Sequence, residues 1–168
     1  MRTLILLVLT LLATACTGIP PGHQVVKPFQ LDRYLGTWYE VARLDHGFER
    51  GLNRVTASYS LRDDGGVRVL NRGQDEDGQW REAEGRAYFV GERDEGRLKV
   101  SFFGPFYGSY NVLATDYELS LVSSYNLQYL WILSRTPNPP EEKVQALIAQ
   151  ARALGFATDQ LIRVSQTP

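Results

Sequence analysis

Between Trp38 and Trp131 the chain repeats one pattern: short segments rich in Val, Tyr, Phe, Thr and Leu alternate with turn clusters such as Asp63-Asp64-Gly65-Gly66 and Asp75-Glu76-Asp77-Gly78. Eight such segments fall at 37–43, 54–61, 67–73, 79–90, 97–103, 108–115, 117–124 and 127–134. Strands joined this tightly pair with their sequence neighbours as an antiparallel meander, and eight of them can close on themselves, which leaves no edge open to another chain. The fold class expected is therefore all-β, an eight-stranded antiparallel up-and-down β-barrel. A barrel of that size can hold one small ligand.

The pattern changes after the meander. Val144, Leu147, Ile148, Ala151 and Leu154 recur at helical spacing, with Pro139 and Pro140 before them and Gly155 after. The remaining positions, Glu141, Glu142, Lys143, Gln145, Gln150 and Arg152, are polar. A helix with a single apolar stripe lies against the outside of the barrel. From Gln160 to Gln166 the residues alternate again and can add a short strand to an edge.

The amino terminus carries Arg2 and then an apolar or small run from Leu4 to Ala15, the layout of an export signal and too short to span a membrane stably. It stops at Leu12-Ala13-Thr14-Ala15-Cys16, where small residues precede the only cysteine, as the lipobox of bacterial lipoproteins requires. Residues 1–15 are expected to be removed, leaving Cys16 as the lipid-bearing first residue. The plainer alternative is an ordinary cleavage site with Cys16 incidental. Thr17, not Asp, follows the cysteine, which favours the outer membrane in the bacterial sorting pattern. Residues 16–28, rich in Pro and Gly, read as a lipidated tether, and 29–168 as one domain. A lone cysteine makes no internal disulfide, so the core alone holds this domain together.

Charge excludes one class of partner. Eighteen Lys and Arg face nineteen Asp and Glu with no concentrated basic stretch, unlike a nucleic-acid surface. Nine Tyr, seven Phe and three Trp can fill a core or line an apolar pocket. Candidate catalytic groups are poor: His23 lies in the tether and His46 in the loop after the first strand, without the company a metal site needs. The acidic clusters sit in turns, and no glycine-rich phosphate loop opens a helix. No metal, no cofactor and no enzymatic activity are expected.

Three short motifs then appear in order. Gly36-Thr37-Trp38, followed by Tyr39-Glu40, opens the first strand; Thr115-Asp116-Tyr117 joins the sixth and seventh; and Arg135 follows the last in Leu133-Ser134-Arg135-Thr136-Pro137. Together, at barrel-like spacing and ahead of a helix, they resemble the lipocalin family over roughly Phe29 to Gln166, close to the apolipoprotein D type. Phe48-Glu49-Arg50-Gly51-Leu52 and Ser101-Phe102-Phe103-Gly104-Pro105-Phe106-Tyr107 resemble the bacterial outer-membrane subgroup. The disulfide cysteines of many animal members are absent. The resemblance implies that Gly36 starts the first strand, that Trp38 plugs the closed end beside Thr115, Asp116 and Tyr117, and that the Arg135 guanidinium covers the Trp38 indole. A homodimer is also implied by the resemblance, although no apolar patch in the sequence demands one.

Side chains alternate along a strand, so Arg135 reaching inward places Leu133, Trp131 and Tyr129 inside, with Ile132 and Leu130 outside. Matching the other strands to the family puts Ala57, Tyr59, Val69, Asn71, Val100, Phe102, Tyr110 and Val112 inside. Apolar walls with a few phenols suit a fatty acid or (lyso)phospholipid, whose burial is favourable by about 0.8 kcal/mol per methylene. Each of these side chains either lines a pocket or simply fills the barrel, and the residues alone do not choose. The expected function is binding, and storage or transport, of such a lipid at the cell envelope, anchored in the outer membrane and facing the periplasm. Two other readings stay open: a haem or pigment binder, for which His46 is the only support, and an envelope scaffold with a filled interior.

Overall fold

The computed structural model describes residues 17–167; the expected export signal, the lipidation expected at Cys16, and Pro168 lie outside the described residues. A short helix α1 (Leu31–Tyr34) precedes eight strands: β1 (Gly36–Arg43), β2 (Asn53–Leu61), β3 (Val67–Gln74), β4 (Trp80–Phe89), β5 (Arg97–Phe103), β6 (Phe106–Thr115), β7 (Leu119–Ser123) and β8 (Leu130–Ser134). Each pairs antiparallel with the next, and β1 pairs with both β2 and β8, which closes the barrel. Helix α2 (Glu141–Ala153) and strand β9 (Ile162–Arg163) follow.

The eight expected segments differ from the strands mainly at their ends, and turn chemistry explains where. Residues 117–118 belong to the β6–β7 turn: Tyr117 has a φ of 69°, and the Asp116 carboxylate accepts the N–H groups of Glu118 and Leu119. Residues 127–129 remain loop, with the Asn126 side chain accepting the N–H of Gln128. In the other direction, β6 starts at Phe106, which pairs with Phe103 across Gly104-Pro105.

Alternation sorts the apolar residues into two clusters on either side of one wall. Inside, Trp38, Tyr59, Val67, Val69, Ala87, Leu98, Val112, Val122 and Leu133 pack with Phe29 and Tyr34. Outside, Leu119, Leu121, Leu130 and Ile132 meet Val144, Ile148 and Ala151 of α2. Strand β1 serves both because it carries a bulge. Glu40 pairs with Leu133 and Ala42 with Ile132, so Val41 is an extra residue, and Val41 and Ala42 both join the outer cluster. Beyond it Arg43 pairs with inward-facing Trp131 and returns to the interior.

Helix α2 stops at Gly155, whose φ of 92° a side chain would resist, and the N–H groups of Phe156 and Gly155 bond back to the carbonyls of Ala151 and Arg152. The chain then pairs β9 with Ala42 and Arg43, where β1 has parted from β2. The short strand expected near the end is thus only two residues long. A bidentate pair between Arg163 and Glu141 ties it to the start of the helix.

The described part of the segment read as a tether does not stand away from the barrel. Gly18 carbonyl oxygen accepts Ser109 Oγ at 2.7 Å and Asn111 Nδ2 at 2.9 Å, His23 Nε2 lies 2.7 Å from the Leu154 carbonyl, and Val26 exchanges backbone bonds with Val112 and Gly96. Polar outward side chains on β6 give this irregular chain its partners, a role its composition does not announce.

Candidate ligand-binding site

The barrel has two unlike ends. At one, α1 crosses beneath the strands. Its Tyr34 carbonyl accepts the Trp38 indole N–H at 2.8 Å, and Trp38 is completely buried. The guanidinium carbon of Arg135 stands 3.9 Å from the centre of the Trp38 ring, and its nitrogens donate to the carbonyls of Thr37, Arg33 and Tyr117. Gly36 lies under this guanidinium with a φ of 97°; a Cβ there would meet Arg135 Nη1 at 3.3 Å. Thr115 braces the neighbouring turn by accepting the Tyr117 N–H and donating to the Leu119 carbonyl. The Tyr117 hydroxyl accepts the N–H of Gln30.

Above this floor lies an apolar chamber. Phe29, Leu31, Tyr34, Tyr59, Val67, Val69, Ala87, Leu98, Val100 and Tyr110 surround a cavity of about 20 Å³. Three phenols meet in it: the Tyr110 hydroxyl lies 2.9 Å from that of Tyr34 and 2.8 Å from that of Tyr59, and Tyr34 also reaches Ser120 Oγ at 2.9 Å. Burial raises all three pKa values, Tyr34 to about 12, so the trio acts as neutral hydrogen-bonding hydroxyls.

The other half of the interior is occupied by charge. Arg43, buried, donates to Glu40 Oε1 at 2.8 Å and to the carbonyls of Glu49 and Leu52 at 2.8 and 3.1 Å. Glu49 Oε2 accepts the Trp131 indole N–H at 2.9 Å and lies 2.9 Å from His46 Nε2. Residues 44–52 are thereby folded over the mouth and latched from inside. Burial and then the Glu49 charge push Glu40 up to about 8, against the opposing pull of Arg43.

The sequence-derived candidates divide accordingly. Tyr59, Val69, Val100 and Tyr110 line the cavity. Val112 belongs to the inner cluster, and Ala57, Phe102 and Trp131 pack against it. Asn71 pairs with Ala57 and Ala83 on the interior side of β3 without touching the cavity. Tyr129 lies in the loop before β8, stacked on Trp131 with ring centres 6.2 Å apart. Tyr34, Glu40, Arg43 and Glu49 were not foreseen as interior groups. The parity fixed by Trp38 places Glu40 inside; Arg43 follows only once the bulge is known.

A family model described as a lipocalin-like domain matches residues 29–166. The chain is a lipocalin. This lipocalin is 51% identical to outer membrane lipoprotein Blc of Vibrio cholerae, with 99% of each chain covered, and 35% identical to rat apolipoprotein D over 88% of this chain and 86% of the relative. Its fold superposes on the cockroach allergen Per a 4 with a TM-score of 0.71 at 18% identity, covering 90% of this chain and 96% of that one.

Proposed function

We propose that this lipocalin binds the acyl chain of a fatty acid or (lyso)phospholipid inside the barrel, and stores or transports it at the cell envelope. Its kinship is with outer membrane lipoproteins, which places it at the outer membrane, and its family binds small hydrophobic ligands rather than catalysing reactions. A lipid carried on Cys16 would hold it there, facing the periplasm.

The observation that carries the ligand reading is the chamber above Trp38. Its walls are apolar on every side, and its only polar groups are the three hydroxyls, which can receive a single polar atom of a guest. The chamber is far smaller than the ~300–1,000 Å³ of occupied ligand pockets. A guest therefore enters by displacing the 44–52 loop and the side chains latched beneath it. The same tightness favours one competing reading, a scaffold with a filled interior. His46 gives little support to haem, because its Nε2 already faces Glu49 and its ring is stacked 3.9 Å from Phe48.

Titration with a dansyl fatty acid tests the proposal. The wild type is expected to bind, and Tyr110→Ala and Trp131→Ala to bind roughly tenfold more weakly, a loss of about 1.4 kcal/mol. Equal curves for all three would remove these residues from the site. No binding by the wild type, with no lipid released on extraction, would leave the scaffold.

A further inference from the structure

We infer that the guest of the barrel is a free fatty acid lying head-down, with its carboxyl group on the phenol trio at the floor and its methyl end under the mouth. The inference rests on the ligand reading above and adds the class of the guest and its direction.

Four hydroxyls form an open chain beside the chamber: Ser120 meets Tyr34 at 2.9 Å, Tyr34 meets Tyr110 at 2.9 Å, and Tyr110 meets Tyr59 at 2.8 Å. Each hydroxyl has one proton to donate. Four protons share three contacts, so one O–H finds no acceptor within the chain, and these side chains have no other hydrogen-bond partner among the described residues. Burial keeps the three phenols protonated, so they offer donors and not charge. A buried donor without an acceptor is costly, and the missing acceptor has to come from what enters the chamber.

Room and charge then select the guest. The chamber of about 20 Å³ takes one water-sized group, since a water needs roughly 10–15 Å³. A carboxyl oxygen is of that size; the phosphate and glycerol of a phospholipid head are not. A methyl end would fit but would leave the spare O–H unpaired. Against the burial that raises the Tyr34 pKa, the charge of Arg135, stacked on Trp38, favours negative charge at the floor. A carboxylate turned to the mouth would instead stand beside Glu40 and Glu49. The guanidinium there, Arg43, already serves Glu40 and the carbonyls of Glu49 and Leu52, with only its Nε unbonded. The same two acids are felt as far as Tyr59, which sets the carboxyl where Tyr34 and Tyr110 meet.

The test compares 2-bromohexadecanoic acid with 16-bromohexadecanoic acid, because bromine quenches an indole only at short range. Trp38 lies against Tyr34, ring centres 4.8 Å apart, and Trp131 bonds to Glu49 at the mouth, so the two indoles report opposite ends. In Trp131→Phe the 2-bromo acid is expected to quench the Trp38 emission more than the 16-bromo acid does. The emission that Trp131 adds in the wild type is expected to show the reverse order. Tyr110→Phe is expected to bind hexadecanoic acid roughly tenfold more weakly, and to lose much less of its affinity for 1-bromohexadecane, a guest without an acceptor. Stronger or equal quenching of Trp38 by the 16-bromo acid, or equal losses of both guests in Tyr110→Phe, would overturn the direction while leaving a lipid binder. Binding of none of these guests by the wild type would overturn the ligand reading itself, and this inference with it.

Discussion

Arg135 closes the floor of the barrel over Trp38, with its guanidinium carbon 3.9 Å from the ring centre and three backbone carbonyls accepting its N–H groups. These carbonyls belong to α1, to β1 and to the β6–β7 turn, so one side chain fastens three separate parts of the chain.

Replacing Arg135 by Ala removes the stacked cation, worth about 0.5–2 kcal/mol, together with those bonds. Urea unfolding should show a loss of roughly 2–4 kcal/mol. Arg135→Lys should recover little, because an ammonium has neither the planar face nor the fork of donors. Lysine restoring full stability would show that charge alone matters.

The phenol trio makes a sharper prediction. Tyr110 is the central member, so Tyr110→Phe leaves the Tyr59 hydroxyl without that partner while Tyr34 keeps Ser120. An unsatisfied buried hydroxyl costs about 1–3 kcal/mol. Tyr110→Phe should therefore destabilise the chain by about that much, whereas Tyr59→Phe, which removes its own polar atom and leaves Tyr110 bonded to Tyr34, should cost less. Thermal unfolding of the two variants distinguishes them.

Trp131 holds the loop over the mouth through the Glu49 carboxylate. Hydrogen bonds to charged groups contribute about 1.5–3 kcal/mol, so Trp131→Phe should speed ligand uptake roughly tenfold or more if loop opening limits it. Stopped-flow mixing with a fluorescent fatty acid reads this rate directly. An unchanged rate would mean that guests enter without breaking this latch.

Glu40 makes stability depend on pH. Its pKa is raised from 4.5 to about 8, by burial first and by Glu49 second, so the folded chain holds this proton more tightly than the unfolded chain. The stabilising contribution is complete below pH 4.5 and is lost as pH rises towards about 8. Unfolding free energy measured at pH 5 and pH 8 should fall across that window in the wild type, and Glu40→Gln should flatten the fall. A slope identical in both would assign the dependence to other groups.

The alternation of polar and apolar residues made most of the barrel legible in the sequence, because a half-buried strand must repeat with period two. Helix α2 was equally plain, since Val144, Ile148 and Ala151 fall on one face and Gly155 ends it. What alternation cannot show is a change of phase. The bulge at Val41 depends on pairing with Leu133 and Ile132, ninety residues away, so Arg43 reads as one more polar residue near a strand end. Nor do Thr17 to Val26 announce their place: Pro and Gly describe a chain without regular structure, and only the outward Ser109 and Asn111 reveal where such a chain can lie down.

That additional residue in β1 has a consequence for how this protein tolerates change. Most substitutions at Val41 alter only the fit under α2. Deleting it would leave Glu40 opposite Leu133, Ala42 opposite Ile132 and Arg43 opposite Trp131, so the guanidinium would still turn in towards Glu40. The shortened chain would lose one apolar side chain from beneath α2 and straighten β1, so the added residue shapes the outer wall and leaves the charged interior as it is.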